Sequence, residues 1–111
     1  MKRIGTAKIY GEKWPMYKTD KINDQYCGYC ELDKKRIFIA GNLDRKTEQV
    51  TVLHELLHAL WLRMGYKQSG MPHELEEVMI DQIATCIFEN KDILFKSLTK
   101  ETKDAVVKKS T

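Results

Sequence analysis

At 111 residues, with 42% hydrophobic and 32% charged residues, the chain has material for one core and not for two. Its formal net charge of +3 is modest and its lysines are scattered, which argues for neither nucleic acid nor an anionic membrane as a direct partner. Three cysteines make a poor disulfide framework, and no apolar run reaches the length of a signal peptide or a bilayer span, so the expected setting is a reducing cytoplasm.

From Ile4 to about Tyr17, β-forming residues are mixed with Gly5, Gly11 and Pro15. This predicts one or two short strands broken by a turn, with Ile9, Trp14 and Tyr17 as their share of the core. Lys18 to Asn23 is polar and predicts a loop, and Gln25 to Leu32 resumes a strand-like pattern. Asp33-Lys34-Lys35 supplies a turn, making Arg36 to Ala40 the returning arm of a hairpin.

Gly41 to Asp44 marks a change of period, with Asn42 or Asp44 able to cap the helix that follows. Val50, Leu53, Leu57, Leu60, Trp61 and Met64 then recur at spacings of three and four, the apolar stripe of a helix packed on a sheet, and Gly65 is placed to end it. Pro72 suits the first position of a second helix, with Glu74 and Glu76 near its positive end and Leu75, Met79, Ile83, Cys86 and Ile87 as its buried face. Ile93, Leu94, Phe95 and Leu98 suggest one more short packed segment. Residues 99–111 read as a polar, lysine-rich tail, which leaves 1–98 as a single α+β domain: a small antiparallel or mixed sheet against two helices.

The chemistry lies in His54-Glu55-Leu56-Leu57-His58. On a helix, a spacing of four residues stacks both imidazoles on one face, where they can reach a single metal ion, with Glu55 beside whatever that ion binds. Zinc in a hydrolytic site takes three protein ligands and leaves a fourth position for water, whose pKa it lowers towards about 7. Two histidines are one ligand short, and the second helix offers His73, Glu74, Glu76 and Glu77. The bland alternative, two solvated histidines on a surface helix, is disfavoured because the same helix carries the main core stripe.

This helix and its downstream partner resemble the ImmA/IrrE group of zincin-type metallopeptidases, in particular short phage and prophage members. That group follows H-E-x-x-H with a later helix of the form E-x-x-A-[ND]-x-F-A, against which Glu77-Val78-Met79-Ile80-Asp81-Gln82-Ile83-Ala84 matches at Glu77, Asp81 and Ala84 and conservatively at Ile80 and Ile83. The resemblance implies a minimal zincin-like fold, Zn2+ as cofactor, His54, His58 and Glu77 as its ligands, Glu55 as general base and then acid, and a peptide or protein substrate. It covers roughly residues 25 to 90. A metzincin would want Gly and His where Trp61 and Met64 stand. An SprT-like protease would use a histidine near His73, but the glycine-rich run expected after it is missing, so the third-ligand order is Glu77, His73, Glu76.

Four further expectations follow. Arg36 to Ala40, taken as an edge strand, could hold an extended peptide by strand addition. Asp81, one turn past Glu77, either orients a histidine or is simply an exposed helix acid, the second being favoured. Cys27-Gly28-Tyr29-Cys30 lacks the second pair of a zinc ribbon and the helix start of a redox pair, so ordinary thiols are expected. Trp14, Tyr26, Tyr29 and Phe38 are expected to pack the sheet rather than form a nucleic-acid platform, because no alternation of basic and aromatic residues accompanies them. The functional reading is a zinc peptidase acting in a bacterial or phage-infected cell as a monomer or small homo-oligomer. The alternative is a zinc-bearing binding module with little chemistry, against which the intact Glu55 weighs. A purely structural zinc domain would need a fourth donor, Cys86 or His73.

Overall fold

The computed structural model describes residues 1–22, 26–66 and 68–99. Four strands, β1 (Lys2–Ile9), β2 (Glu12–Thr19), β3 (Gly28–Glu31) and β4 (Arg36–Ala40), precede three helices, α1 (Arg45–Arg63), α2 (His73–Glu89) and α3 (Lys91–Thr99). β1 and β2 form a hairpin closed by Tyr10 and Gly11, both at positive φ, as the type I′ turn that matches strand twist requires. β2 continues through Lys18 and Thr19, two residues into the expected loop, because these residues pair with Ile39 and Ala40 of β4. Of the strand-like run from Gln25 to Leu32, only Gly28–Glu31 is strand; Asn23 to Gln25 lie outside the described residues.

The sheet order is β1-β2-β4-β3, with β2 and β4 parallel and the other neighbours antiparallel. This overturns the edge position expected for Arg36 to Ala40. β4 is an inner strand whose Ile37, Phe38, Ile39 and Ala40 are all buried, and the edge falls to β3. The result is a small mixed α+β fold in three layers: sheet, α1, α2. Ala59 of α1, with Val52, Leu56 and Leu60, packs on Ala7, Ile9, Trp14, Met16, Ile37 and Ile39. On another side of the helix Leu57 and Trp61 meet Ile80 and Ala84 of α2. Among the described residues α2 packs on α1 and α3 and on no strand.

α1 begins where Asp44 accepts a hydrogen bond from the backbone N–H of Thr47, so of the two expected caps Asp44 is the one used. It ends in a Schellman arrangement: Gly65, at φ +84°, donates to Leu62 O and Tyr66 donates to Trp61 O. Met64, expected in the stripe, caps the helix instead and is exposed. Pro72 is the N-cap of α2 rather than its first helical residue. The buried line of α2 is Glu76, Ile80 and Ala84, flanked by Met79, Ile83 and Ile87; Leu75 and Cys86, expected on that face, are exposed. Tyr17 also departs from expectation, standing on the sheet face away from α1 and stacking on Phe38. The polar tail expected from Thr99 lies, beyond that residue, outside the described residues.

Candidate metal centre

α1 carries His54 and His58 one turn apart, and α2 lies alongside so that Glu77 meets both. The two Nε2 atoms are 3.1 Å apart; Glu77 Oε1 is 2.7 Å from His58 Nε2, and its Oε2 is 3.4 Å from His54 Nε2. One ligand atom from each of the three lies within 4.8 Å of the others. Tetrahedral zinc with bonds of about 2.0–2.1 Å separates its ligand atoms by about 3.3 Å, so this spacing fits a single ion.

The outer nitrogens explain the orientation of the rings. His58 Nδ1 is 2.6 Å from Glu76 Oε2, and His54 Nδ1 is 2.9 Å from Asp81 Oδ1. In the tautomer that donates Nδ1–H to that carboxylate, each Nε2 is left as a lone-pair acceptor. Together with Glu77 they can offer three ligand atoms to one point, an arrangement that a single cation would satisfy.

The four acidic or imidazole candidates of α2 are thereby separated. Glu77 joins the cluster. Glu76 is 1% exposed and holds the far side of His58, so it is no metal-side donor. His73 stands at the mouth of the cleft, its side chain 67% exposed and its Nε2 4.0 Å from Glu77 Oε1. Glu74 is exposed. Asp81 is both exposed on its helix and in contact with His54, so its two expected roles coexist.

Glu55 points from α1 toward β3. Burial pushes its carboxyl up to about 7, against the pull of His54 and a hydrogen bond from Cys30, while Glu77 adds to the rise. The Cys30 thiol donates to the Glu55 backbone carbonyl at 2.9 Å; burial, then the Glu55 carboxylate, push that thiol well above its ordinary range, so it is an inert structural donor. Cys27, Cys30 and Cys86 are all free. Gly28 is a site residue outside the sequence-based candidates. A Cβ there would stand 2.7 Å from Phe38 O, 2.9 Å from Thr51 Cγ2 and 3.2 Å from Glu55 Cγ, so only glycine lets the edge strand lie this close to Glu55. A glycine inside a strand pattern is the one sequence signal that pointed there.

Two adjoining cavities, of about 530 and 490 Å³, share Tyr26, Gly28, His54 and Glu55 and run along β3 to either side of Glu55. Tyr26, expected to pack the sheet, is instead exposed at this cleft. The geometry is that of an HExxH site with a third ligand from the next helix, as in gluzincins. Among the described residues no helix is long and apolar enough to cross a membrane. Comparison with protein-family models, with curated proteins and with solved structures finds no match to the chain.

Proposed function

We propose that the chain is a zinc-dependent metallopeptidase of the gluzincin type, with His54, His58 and Glu77 as the metal's protein ligands and Glu55 as general base. One observation carries this reading: three acceptor atoms converge beside a buried carboxylate at the floor of an elongated cleft. When bound, zinc supplies Lewis acidity and acidifies water at its open position. Glu55 takes a proton from the attacking water as the oxygen bonds to the peptide carbonyl carbon, then gives it to the amide nitrogen as the C–N bond breaks. Glu76 and Asp81 fix the ring orientations of His58 and His54. The free edge of β3, beside Glu55, offers backbone groups to an extended peptide, the role first expected of β4.

Within this reading the ImmA/IrrE resemblance, in its short phage-type form, is the family we put forward, and three free thiols suit a cytoplasmic setting in a bacterial or infected cell. The test is metal analysis of wild type, Glu55→Gln, Glu77→Ala and His73→Ala, with cleavage of a denatured protein pool. Glu55→Gln should keep the metal and lose about 10²–10⁴-fold in rate. Glu77→Ala should lose the metal, and His73→Ala should keep it. Equal cleavage by wild type and Glu55→Gln refutes the peptidase reading, and metal loss in His73→Ala alone moves the ligand set to the SprT-like arrangement.

A further inference from the structure

Among the described residues, helices cover the sheet on one face only. α1 packs against it, while α2 and α3 meet no strand among the described residues. The register sets Arg3 opposite Tyr17, Thr6 opposite Pro15 and Lys8 opposite Lys13. These pairs alternate with Gly5–Met16, Ala7–Trp14 and Ile9–Glu12, whose Ala7, Ile9, Trp14 and Met16 belong to the core under α1. Arg3, Lys8 and Lys13 therefore stand together on the open face. Charges that are scattered along the chain are gathered by strand pairing.

Arg36 of β4 joins them on that face, and the acid beside it, Glu31, is engaged by it in an ion pair. No ion pair engages Arg3, Lys8 or Lys13 among the described residues. Lys8 and Lys13 face each other directly across the hairpin, a like-charge pair that costs stability and that a bound anion would relieve. Beside these cations an aromatic ladder crosses three strands: Tyr17 on Phe38 with centroids 5.5 Å apart, and Phe38 on Tyr29 at 4.9 Å. Phe38 is covered by its neighbours, whereas Tyr29, on the edge strand, is 42% exposed.

We propose that this helix-free face binds single-stranded nucleic acid, with phosphates at Arg3, Lys8 and Lys13 and an unstacked base on Tyr29. A row of unpaired cations on an open sheet beside exposed aromatic surface is what a polyanion with free π-faces recognises. A duplex hides its bases from Tyr29; an anionic bilayer, which would use the cations and could seat the Tyr29 ring at its interface, is separated by the vesicle arm of the test. Arg3, Lys8 and Lys13 stand on the side of the sheet away from α1 and its metal cleft, whereas Tyr29 also borders that cleft, so the lysine variants are the arm of the test that is independent of the peptidase reading.

The test is fluorescence anisotropy of the full chain with a labelled oligothymidylate of roughly 12 nucleotides, over a salt series starting at about 50 mM. Wild type and Glu55→Gln should bind alike, with affinity falling steeply as salt rises. Lys8→Gln/Lys13→Gln should bind at least about tenfold more weakly and reduce the salt slope by about 1.4, while its melting temperature rises because the like-charge pair is gone. Tyr29→Ala should weaken binding roughly tenfold. The proposal is overturned if wild type shows no salt-dependent binding, if the double lysine variant binds as wild type does, if a duplex of equal length binds as tightly, or if phosphatidylserine vesicles are bound and the oligonucleotide is not.

Discussion

Glu76 and Glu77, consecutive on α2, take opposite nitrogens of one imidazole: Glu76 Oε2 lies 2.6 Å from His58 Nδ1, and Glu77 Oε1 lies 2.7 Å from His58 Nε2. Glu76 is 1% exposed, and among the described residues the side-chain partner of its carboxyl is that one ring. Removing one partner of a buried pair strands the other. Glu76→Ala should cost about 3–5 kcal/mol in a denaturant titration and weaken zinc binding about 10–100-fold. Glu76→Gln, which still accepts from Nδ1–H, should lose distinctly less of both. If the alanine variant binds zinc as wild type does, Glu76 plays no part in setting the ring.

Gly28 sets how close the edge strand comes to Glu55. Because one of the atoms its Cβ would strike is the Phe38 backbone carbonyl, relief requires movement of β3 rather than of a side chain. Gly28→Ala should therefore destabilise by about 1–3 kcal/mol, the usual cost of forcing volume into a packed contact. It should also reduce cleavage more than it reduces zinc content, since it disturbs the base and not the ligands. Unchanged turnover would mean that α1 and β3 can separate without consequence to Glu55.

The Glu55 carboxyl has its pKa raised from 4.5 to about 7 in the folded, metal-free protein, first of all by burial. The folded state thus holds this proton more tightly than the unfolded chain, so the contribution to stability is most favourable below about pH 4.5 and is lost as pH rises through about 7. Chelator-treated Glu55→Gln lacks the titration. Relative to wild type it should gain on the order of 3 kcal/mol between pH 5 and pH 8, read from paired denaturant curves. A difference that stays flat with pH would show that the buried carboxylate is stabilised by partners other than water.

Local chemistry made the site legible in the sequence, and long-range pairing made the sheet illegible. The four-residue spacing of His54 and His58, the Asp44 cap and the Gly65 stop are each settled within a turn or two of helix, and the structure has all of them. Glu77, by contrast, is set apart from His73, Glu74 and Glu76 by motif resemblance and meets the histidines only through the packing of α2 on α1. The parallel pairing of β2 with β4 joins residues about twenty positions apart, and no local pattern encodes it. One signal was present: Ile37 to Ala40 is an unbroken apolar run, which suits a strand buried on both faces better than an edge. Glu76 was hidden for a different reason. A carboxylate in line with Ile80 and Ala84 looks like the polar side of a helix until His58, on another element, supplies its partner.

The transfer of the edge from β4 to β3 gives the substrate a testable geometry. Cys27 O accepts from Ala40 N at 2.7 Å, and antiparallel pairs alternate, so the backbone groups of Gly28 and Cys30 face away from β4 and toward the free edge. A peptide laid along that edge would spend every second N–H on β3 and leave the others in solvent. Single N-methylation at successive residues of a cleaved peptide should therefore raise KM in a period-two pattern. Positions bonded to β3 should lose about 5–10-fold each, the weight of one net hydrogen bond, and the intervening positions should lose little. kcat for a peptide methylated two or more residues from the scissile bond should stay near that of the parent. A flat profile along the peptide, or one with no positional dependence beyond the scissile bond, would rule out strand addition at β3 and leave the cleft to bind side chains alone.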